Sequence, residues 1–409
     1  MTTEKIRIAI VGAGIGGLTL ALALRQRGLD VDVYEQATEL REIGAAIALT
    51  ANGTRELDRL GCLDGIKAVS TEPTEFIWRS WCNDRRIASF PIAKGGAYRA
   101  RVGAPYFGTH RSDLQRVLAG ALGSEGLHLG HRLVSLSENN KVVRLDFDNG
   151  KTVEADILIG SDGQHSRVRQ YVTSGKPSVY TRTSGFRGIV PVKDLPSLPD
   201  PHAVQFWMGR DAHLLHFALG PSGEDVNFLA VVEGPKEWTF DTWVAPVTHD
   251  VAMSAFAGWH PAVVEMIGAV EHTKRWGLFE VPPLQSWQRG RVVLLGDSAH
   301  GMLPHHGQGA NLTIEDAITL AELLRMYGVD GFEEAIKLYQ DLRRARTRKV
   351  QRSAHDTNRV LHLADDAVGD RASRLARVPE KFFWIHGFDA LADVTSQTGP
   401  RPEAFRTAS

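Results

Sequence analysis

Cysteine is almost missing from this chain: 2 among 409 residues, Cys62 and Cys82. Two thiols build neither a disulfide framework nor a thiolate metal centre, which points to a reducing compartment. Charge of one sign is missing too. Lys and Arg number 47 against 48 Asp and Glu, for a formal net charge of −1. That balance gives no electrostatic reason to expect nucleic acid or an anionic membrane as partner. No uncharged apolar run reaches the roughly 18 residues that a membrane helix needs. The opening residues, Met1 to Gly14, show no charged segment leading into an apolar stretch and a small-residue cleavage site. Internal repeats and low-complexity tracts are also absent. The expectation is a cytoplasmic protein, monomer or homodimer, touching neither membrane nor nucleic acid. With 43% apolar residues, it has enough chain for two or three packed domains.

The pattern of elements alternates in texture. An apolar strand from Ile6 to Val11 runs into Gly12-Ala13-Gly14-Ile15-Gly16-Gly17, then a helix carrying Leu18, Ala21, Leu22 and Leu24, ending near Gly28. A second strand, Asp32 to Tyr34, ends at Glu35, completing a βαβ unit on a buried parallel sheet. Strands Val142 to Phe147 and Thr152 to Ile159 flank Asp148-Asn149-Gly150, a hairpin signal. Further strands are predicted at Gly185 to Val192, Val204 to Met208, Leu214 to Leu219 and Asn227 to Val232. The α/β texture returns with a strand at Val292 to Leu295, a helix starting near Gln308, and a long helix from about Gly331 to Ser353. That last helix carries Arg343, Arg344, Arg346, Arg348, Lys349 and Arg352, read as a solvated face rather than a binding patch.

Gly12-x-Gly14-x-x-Gly17 stands between a strand and a helix. The first glycine suits the tight turn, the second a close backbone approach to a pyrophosphate, and the third close packing of helix on strand. Glu35, 23 residues beyond Gly12, is placed to accept hydrogen bonds from an adenosine ribose. Dinucleotide binding follows; the motif alone does not choose between FAD and NAD. Two later segments repeat the strand-to-turn acid: Ile159-Gly160-Ser161-Asp162-Gly163 and Val292-Val293-Leu294-Leu295-Gly296-Asp297.

Together, in this order, the three motifs resemble the fingerprints of the class A flavoprotein monooxygenases, the single-chain FAD aromatic hydroxylases such as salicylate and 3-hydroxybenzoate hydroxylases. The resemblance runs over roughly residues 5 to 345. It implies an α/β fold: a Rossmann-type FAD-binding domain (1–74, 98–178 and 275–357, the last with the long helix), an inserted β-sheet substrate domain (75–97 and 179–274), and a C-terminal helical segment (358–409). Implied cofactor contacts are Gly12, Gly14, Gly17, Glu35, Arg41, Arg111 of Arg111-Ser112-Asp113-Leu114, Asp162, Gly163, Gly296 and Asp297. The segment Gly307-Gln308-Gly309-Ala310-Asn311 is implied to lie beneath the flavin ring. A helix starting there would aim free N–H groups and a partial positive charge at the flavin, favouring its anionic reduced form.

For the substrate side, Arg187 of Gly185-Phe186-Arg187-Gly188 either lines the pocket or supports its strand. Alternation places His213, Leu215 and Phe217 on one strand face and His216 on the other. His213 resembles a phenol-contacting histidine of phenolic-acid hydroxylases; the alternative is a bond to a strand neighbour. Pro304 and His305 are implied to border the reacting centre, with His306 beside them. No acid or thiol accompanies His300, His305 and His306 at ligand spacing, so no metal is expected. Ala45-Ala46 stands where relatives often have Gly or His, and Arg275-Trp276-Gly277-Leu278-Phe279 holds only the first Trp of the halogenase element. The resemblance implies an FAD enzyme that takes electrons from NAD(P)H and hydroxylates a phenolic or heteroaromatic, acidic substrate with O2 through a flavin C4a-hydroperoxide. The alternatives are an FAD-dependent dehydrogenase without oxygen insertion and a flavin-loaded redox sensor.

Overall fold

A computed structural model describes residues 6–40, 46–139, 141–174, 177–328, 331–363, 369, 373, 375 and 378–398. Its first sheet has six strands in the order Gln288–Arg289, Val292–Leu294, Ile157–Gly160, Ile8–Val11, Val31–Tyr34 and Leu127–His128. All neighbours are parallel except the first pair. Ile8–Val11 is central and buried along its whole length, which is why four successive apolar residues are needed there. The helix Ile15–Gln26 packs on this sheet and on the helix Gly309–Tyr327. Both helices are buried for most of their length, so neither shows a polar stripe.

The second sheet has eight strands: Val244–Pro246, Lys274–Glu280, Val179–Pro191, Asp225–Glu233, Ala212–Leu219, Val204–Gly209, Glu75–Ser80 and Arg86–Pro91. Only the pair Val204–Gly209 and Glu75–Ser80 is parallel. Directly paired residues share a face, so the register defines rows across the sheet. One row is Arg187, Leu229, Leu215, Phe206 and Trp78; the next is Gly185, Val231, His213 and Met208. This face meets the first sheet's side of the molecule through Ala48, Ala51, Tyr98, Tyr106 and Leu303. The opposite face, with Leu214 and Phe228, is covered by the helices His249–Ala255 and Pro261–Gly268. Two small sheets complete the core: a meander of Leu133–Glu138, Val143–Phe147 and Thr152–Ala155, and a trio of Ala46–Leu49, Phe107–His110 and Ser70–Thr71.

Three expectations need correction. The strand read from Thr152 to Ile159 is two strands in two sheets, broken at Asp156, whose carboxylate accepts from the Arg7 backbone and guanidinium. The long helix runs Phe332–Leu361, eight residues past Ser353. Its basic run is not one solvated face. Arg343 and Arg346 are buried in ion pairs with Glu315 and Asp316, while Arg352 faces solvent.

Candidate active site

The glycine loop does three different jobs. Gly12 has φ +104, and a Cβ there would fall 2.4 Å from the Ser161 carbonyl oxygen. At Gly17 a Cβ would fall 1.9 Å from the Gly12 oxygen, so the helix closes on the strand only with glycine present. Gly14 is different: it is part-exposed, and none of the described residues lies within 4 Å of where its Cβ would be. That space is open to a ligand. Glu35 stands beside it, its carboxylate accepting from the Ala13 amide at 2.8 Å and the Ala37 amide at 2.9 Å. Gln115 Nε2 donates to the Ala13 carbonyl at 2.9 Å, fixing the loop from the third side.

The distant motifs meet this loop at one point. A Cβ on Gly16 would fall 2.4 Å from Thr313 Cγ2, 2.9 Å from Leu295 Cδ2 and 2.9 Å from Ser161 Oγ. Asp162 turns inward: its carboxylate accepts from Ser166 Oγ at 2.5 Å and from the Arg167 and Val168 amides, at the start of the helix Arg167–Thr173. Burial pushes its carboxyl up, against bonds that favour ionisation. Gly163 takes φ +73 in this turn. Asp297 follows Gly296, which has φ +67, and is part-exposed. Among the described residues, no hydrogen bond or ion pair uses its carboxylate, and Oδ1 would lie 3.7 Å from a Cβ on Gly309.

The helix Gly309–Tyr327 thus begins beside an unpaired acid, with Gly307, Gly309 and Ala310 part-exposed. Gln308 and Asn311 are buried by contrast. Gln308 bonds Asn52 and Thr50, and Asn311 accepts from the Thr50 amide and donates to Ala48 and Gly307 oxygens. Their side chains lock the helix start to the neighbouring strand; what faces the opening is backbone. Arg111 is the first residue of the helix Arg111–Leu122. Arg41 and Ala45 lie outside the described residues.

On the sheet side, Arg187 lies over Trp276 with its Cζ 5.2 Å from the ring centroid, and its buried Nε has no hydrogen-bond partner among the described residues. Burial, with the Arg111 charge nearby, lowers its pKa from the ordinary arginine value. His213 is buried on the same face, its ring 5.3 Å from that of His305, which follows Pro304 in a single 3-10 turn. Both His305 nitrogens are buried without a hydrogen-bond partner among the described residues. Burial, then neighbouring histidines, push His213 and His305 well below the usual imidazole value, so both are neutral at pH 7. Leu215 and Phe217 give an apolar floor. Two residues not anticipated from sequence, His362 and Glu233, bond in line behind His213. His306 bonds Ser353 instead.

Among the described residues no group of His, Cys, Asp or Glu could hold a metal, and no helix is long and apolar enough to cross a membrane. The residues fit a flavin dinucleotide: a glycine loop with open space at Gly14, the carboxylates of Glu35 and Asp297 able to accept from hydroxyls, a helix start able to face an anionic ring, and the apolar side chains Leu215 and Phe217 on the facing sheet.

Comparison with known proteins agrees. The sequence matches the FAD binding domain family over residues 5–354. It is 36% identical over 405 residues to 3-amino-4-hydroxybenzoate 2-monooxygenase of Streptomyces cremeus, covering 98% of this chain and 100% of that one. It is 33% identical over 390 residues to 6-hydroxynicotinate 3-monooxygenase of Bordetella bronchiseptica, covering 95% and 97%. Against the salicylate hydroxylase of Pseudomonas putida it is 31% identical over 414 residues, covering 95% and 94%. Among solved structures, a salicylate hydroxylase substrate complex matches with a TM-score of 0.84 at 27% identity, covering 98% of this chain and 100% of that one.

Proposed function

The chain belongs to the FAD binding domain family and is an FAD-dependent aromatic monooxygenase using NAD(P)H and O2, and we propose that its substrate is a hydroxylated ring acid held by Arg187 and His213. When bound, FAD would supply the redox and oxygen-transfer chemistry, with NAD(P)H as electron donor. The residues of the chain do the rest. Glu35 and Asp297 would hold cofactor hydroxyls, and the amides at Gly14 and Gly309 would meet its charged parts. Leu215, Leu229 and Phe217 keep water from the reacting atoms. His213, neutral in its buried site, takes the ring hydroxyl's proton and so raises the electron density of the ring carbon. His305, with Pro304 before it, lies against the His213 ring.

The observation that carries the substrate reading is the sheet register. Arg187 and His213 stand on one face, two strands and one row apart, about 12 Å between backbones at ordinary strand spacings. A cation, its buried Nε unpartnered among the described residues, and an imidazole therefore bracket an otherwise apolar floor. A carboxylate fits the first and a hydroxyl the second. The relatives named above act on 3-amino-4-hydroxybenzoate, 6-hydroxynicotinate and salicylate, ring acids with a hydroxyl. We place the enzyme in the cytoplasm as a monomer or homodimer, on the strength of two free cysteines and few exposed large apolar side chains.

The test is a panel of these three acids and 3-hydroxybenzoate, each beside its analogue without the carboxylate. NADH and NADPH oxidation, O2 uptake and product mass are followed. Acids should be hydroxylated with gain of one oxygen atom. Arg187→Met should raise their KM by roughly 10- to 100-fold, the loss of a hydrogen bond to a charged group, and leave the neutral analogues alone. Acids and neutral analogues responding alike would refute the carboxylate role.

A further inference from the structure

Three side chains run in line from the candidate site to the surface. His213 Nδ1 lies 2.8 Å from His362 Nε2, and His362 Nδ1 lies 3.2 Å from Glu233 Oε1. Exposure rises along the line: His213 is 1% exposed, and the side chains of His362 and Glu233 are 7% and 54% exposed. They come from separate elements. His213 is in the strand Ala212–Leu219, Glu233 ends the strand Asp225–Glu233, and His362 closes the long helix. Asp211 ties them together: its amide donates to the His362 carbonyl at 3.3 Å, and its carbonyl accepts from the Glu233 amide at 3.1 Å.

The carboxylate decides where each proton sits. Ionised Glu233 accepts only, so His362 must carry its hydrogen on Nδ1. Its Nε2 is then a bare lone pair, which accepts from His213 Nδ1–H. That leaves His213 Nε2, on the other side of the ring, as a base. One surface acid thus sets two tautomers so that the innermost nitrogen can take a proton. We propose that Glu233, His362 and His213 form a proton relay that carries the proton of the substrate's ring hydroxyl from the buried site to solvent. The proposal rests on His213 facing that hydroxyl.

The transfer balances. The hydroxyl O–H breaks as His213 Nε2–H forms; His213 Nδ1–H passes to His362 Nε2; His362 Nδ1–H passes to Glu233, which releases it to water. The product is again a ring hydroxyl, so a proton returns along the same line and restores both tautomers. Every group facing the relay favours passage over storage. His305 and His362 flank His213, and burial with these two neighbours keeps it from holding a charge. Burial lowers His362 too, so it does not store the proton, while Glu233 and Asp211 work against that burial from the outer side.

The experiment mixes FAD-loaded enzyme with the tightest-binding acid of the panel in weak buffer containing a pH-indicator dye. Proton release is timed in the wild type and in Glu233→Gln, Glu233→Asp, His362→Gln and His213→Ala. Glu233→Gln and His362→Gln should slow release by roughly 100-fold or more, the low end for losing a positioned proton acceptor. Added imidazole or formate should restore it, and Glu233→Asp should stay near wild type; a merely structural role predicts no such rescue. Wild-type release in both Glu233→Gln and His362→Gln overturns the relay. If His213→Ala is then slow, His213 still takes the proton and the functional reading stands. If His213→Ala is also normal, that part of the functional reading falls too.

Discussion

Replacing Arg343 with Met removes one corner of a buried ion cluster beneath the cofactor loop. Arg343 is 1% exposed; its Nε lies 2.7 Å from Asp316 Oδ1, and one terminal nitrogen lies 2.7 Å from Glu315 Oε2. Arg346 makes two further bonds to Glu315, and His300 Nε2 lies 2.5 Å from Asp316 Oδ2. Two guanidinium charges balance two carboxylates; Arg343→Met leaves one carboxylate over, out of water. Removing one partner of a buried pair costs about 3–5 kcal/mol. Unfolding entropy of about 2.1 cal/mol/K per residue makes that a melting shift of roughly 3–6 °C for a chain of 409 residues. Asp316 also accepts from the Gly296 amide at 3.1 Å, so the variant should lose FAD occupancy as Asp297 loses its aim.

The pH dependence gives the sharper test. Burial pushes both acids up, but Arg346 and Arg343 beside Glu315, and His300 and Arg343 beside Asp316, outweigh it and hold both below the usual carboxylate range. Carboxyls depressed in the folded state stabilise it above their unfolded pKa, and that stability goes as pH falls through the folded value. Without Arg343 the folded pKa of Asp316 rises, and the variant is relieved as it takes up a proton. The melting gap, measured by calorimetry, should therefore be full at pH 7 and narrow toward pH 5. Arg352→Met, on the exposed side of the same helix, should stay within about 0.5 kcal/mol of wild type. An unchanged melting point for Arg343→Met, or a gap that widens on acidification, refutes the reasoning.

Gly14→Ala should fold normally, because φ −70 suits alanine and none of the described residues lies within 4 Å of its Cβ. Its FAD affinity, read from flavin fluorescence, should nonetheless fall about tenfold or more, roughly 1.4 kcal/mol; unchanged affinity would mean that the cofactor does not approach there. Glu35→Ala should weaken FAD by roughly 1.5–3 kcal/mol with kcat preserved at saturating FAD. A collapse of kcat with FAD fully bound would give Glu35 another role. Asp297→Ala should lower the FAD content of the purified protein and leave the apo melting point unchanged, since its carboxylate makes no hydrogen bond among the described residues.

What could be read from the sequence, and what could not, follows from the reach of each interaction. The glycine loop and the turn acids were legible because backbone conformation within a few residues dictates them: Gly12 at φ +104 and Gly296 at φ +67 are local demands. His213, Leu215 and Phe217 were legible as one face because strand alternation needs no partner to be known. The line from His213 to Glu233 was not, since His362 is 149 residues from one and 129 from the other, and no local pattern links them. The basic helix lies between these cases. Counting its charges suggests a solvated face, yet Arg343 stands four residues after Tyr339 and four before Thr347, inside the buried stripe that includes Ile336, Val350 and Ala354. The helix Gly309–Tyr327 carries Glu315 and Asp316 where all its other neighbours are buried. Two acids so placed require cations opposite, because unpaired charge out of water is too costly to keep. Helical period supplies the arginine and desolvation supplies the need; their meeting required the two helices to be brought together in space.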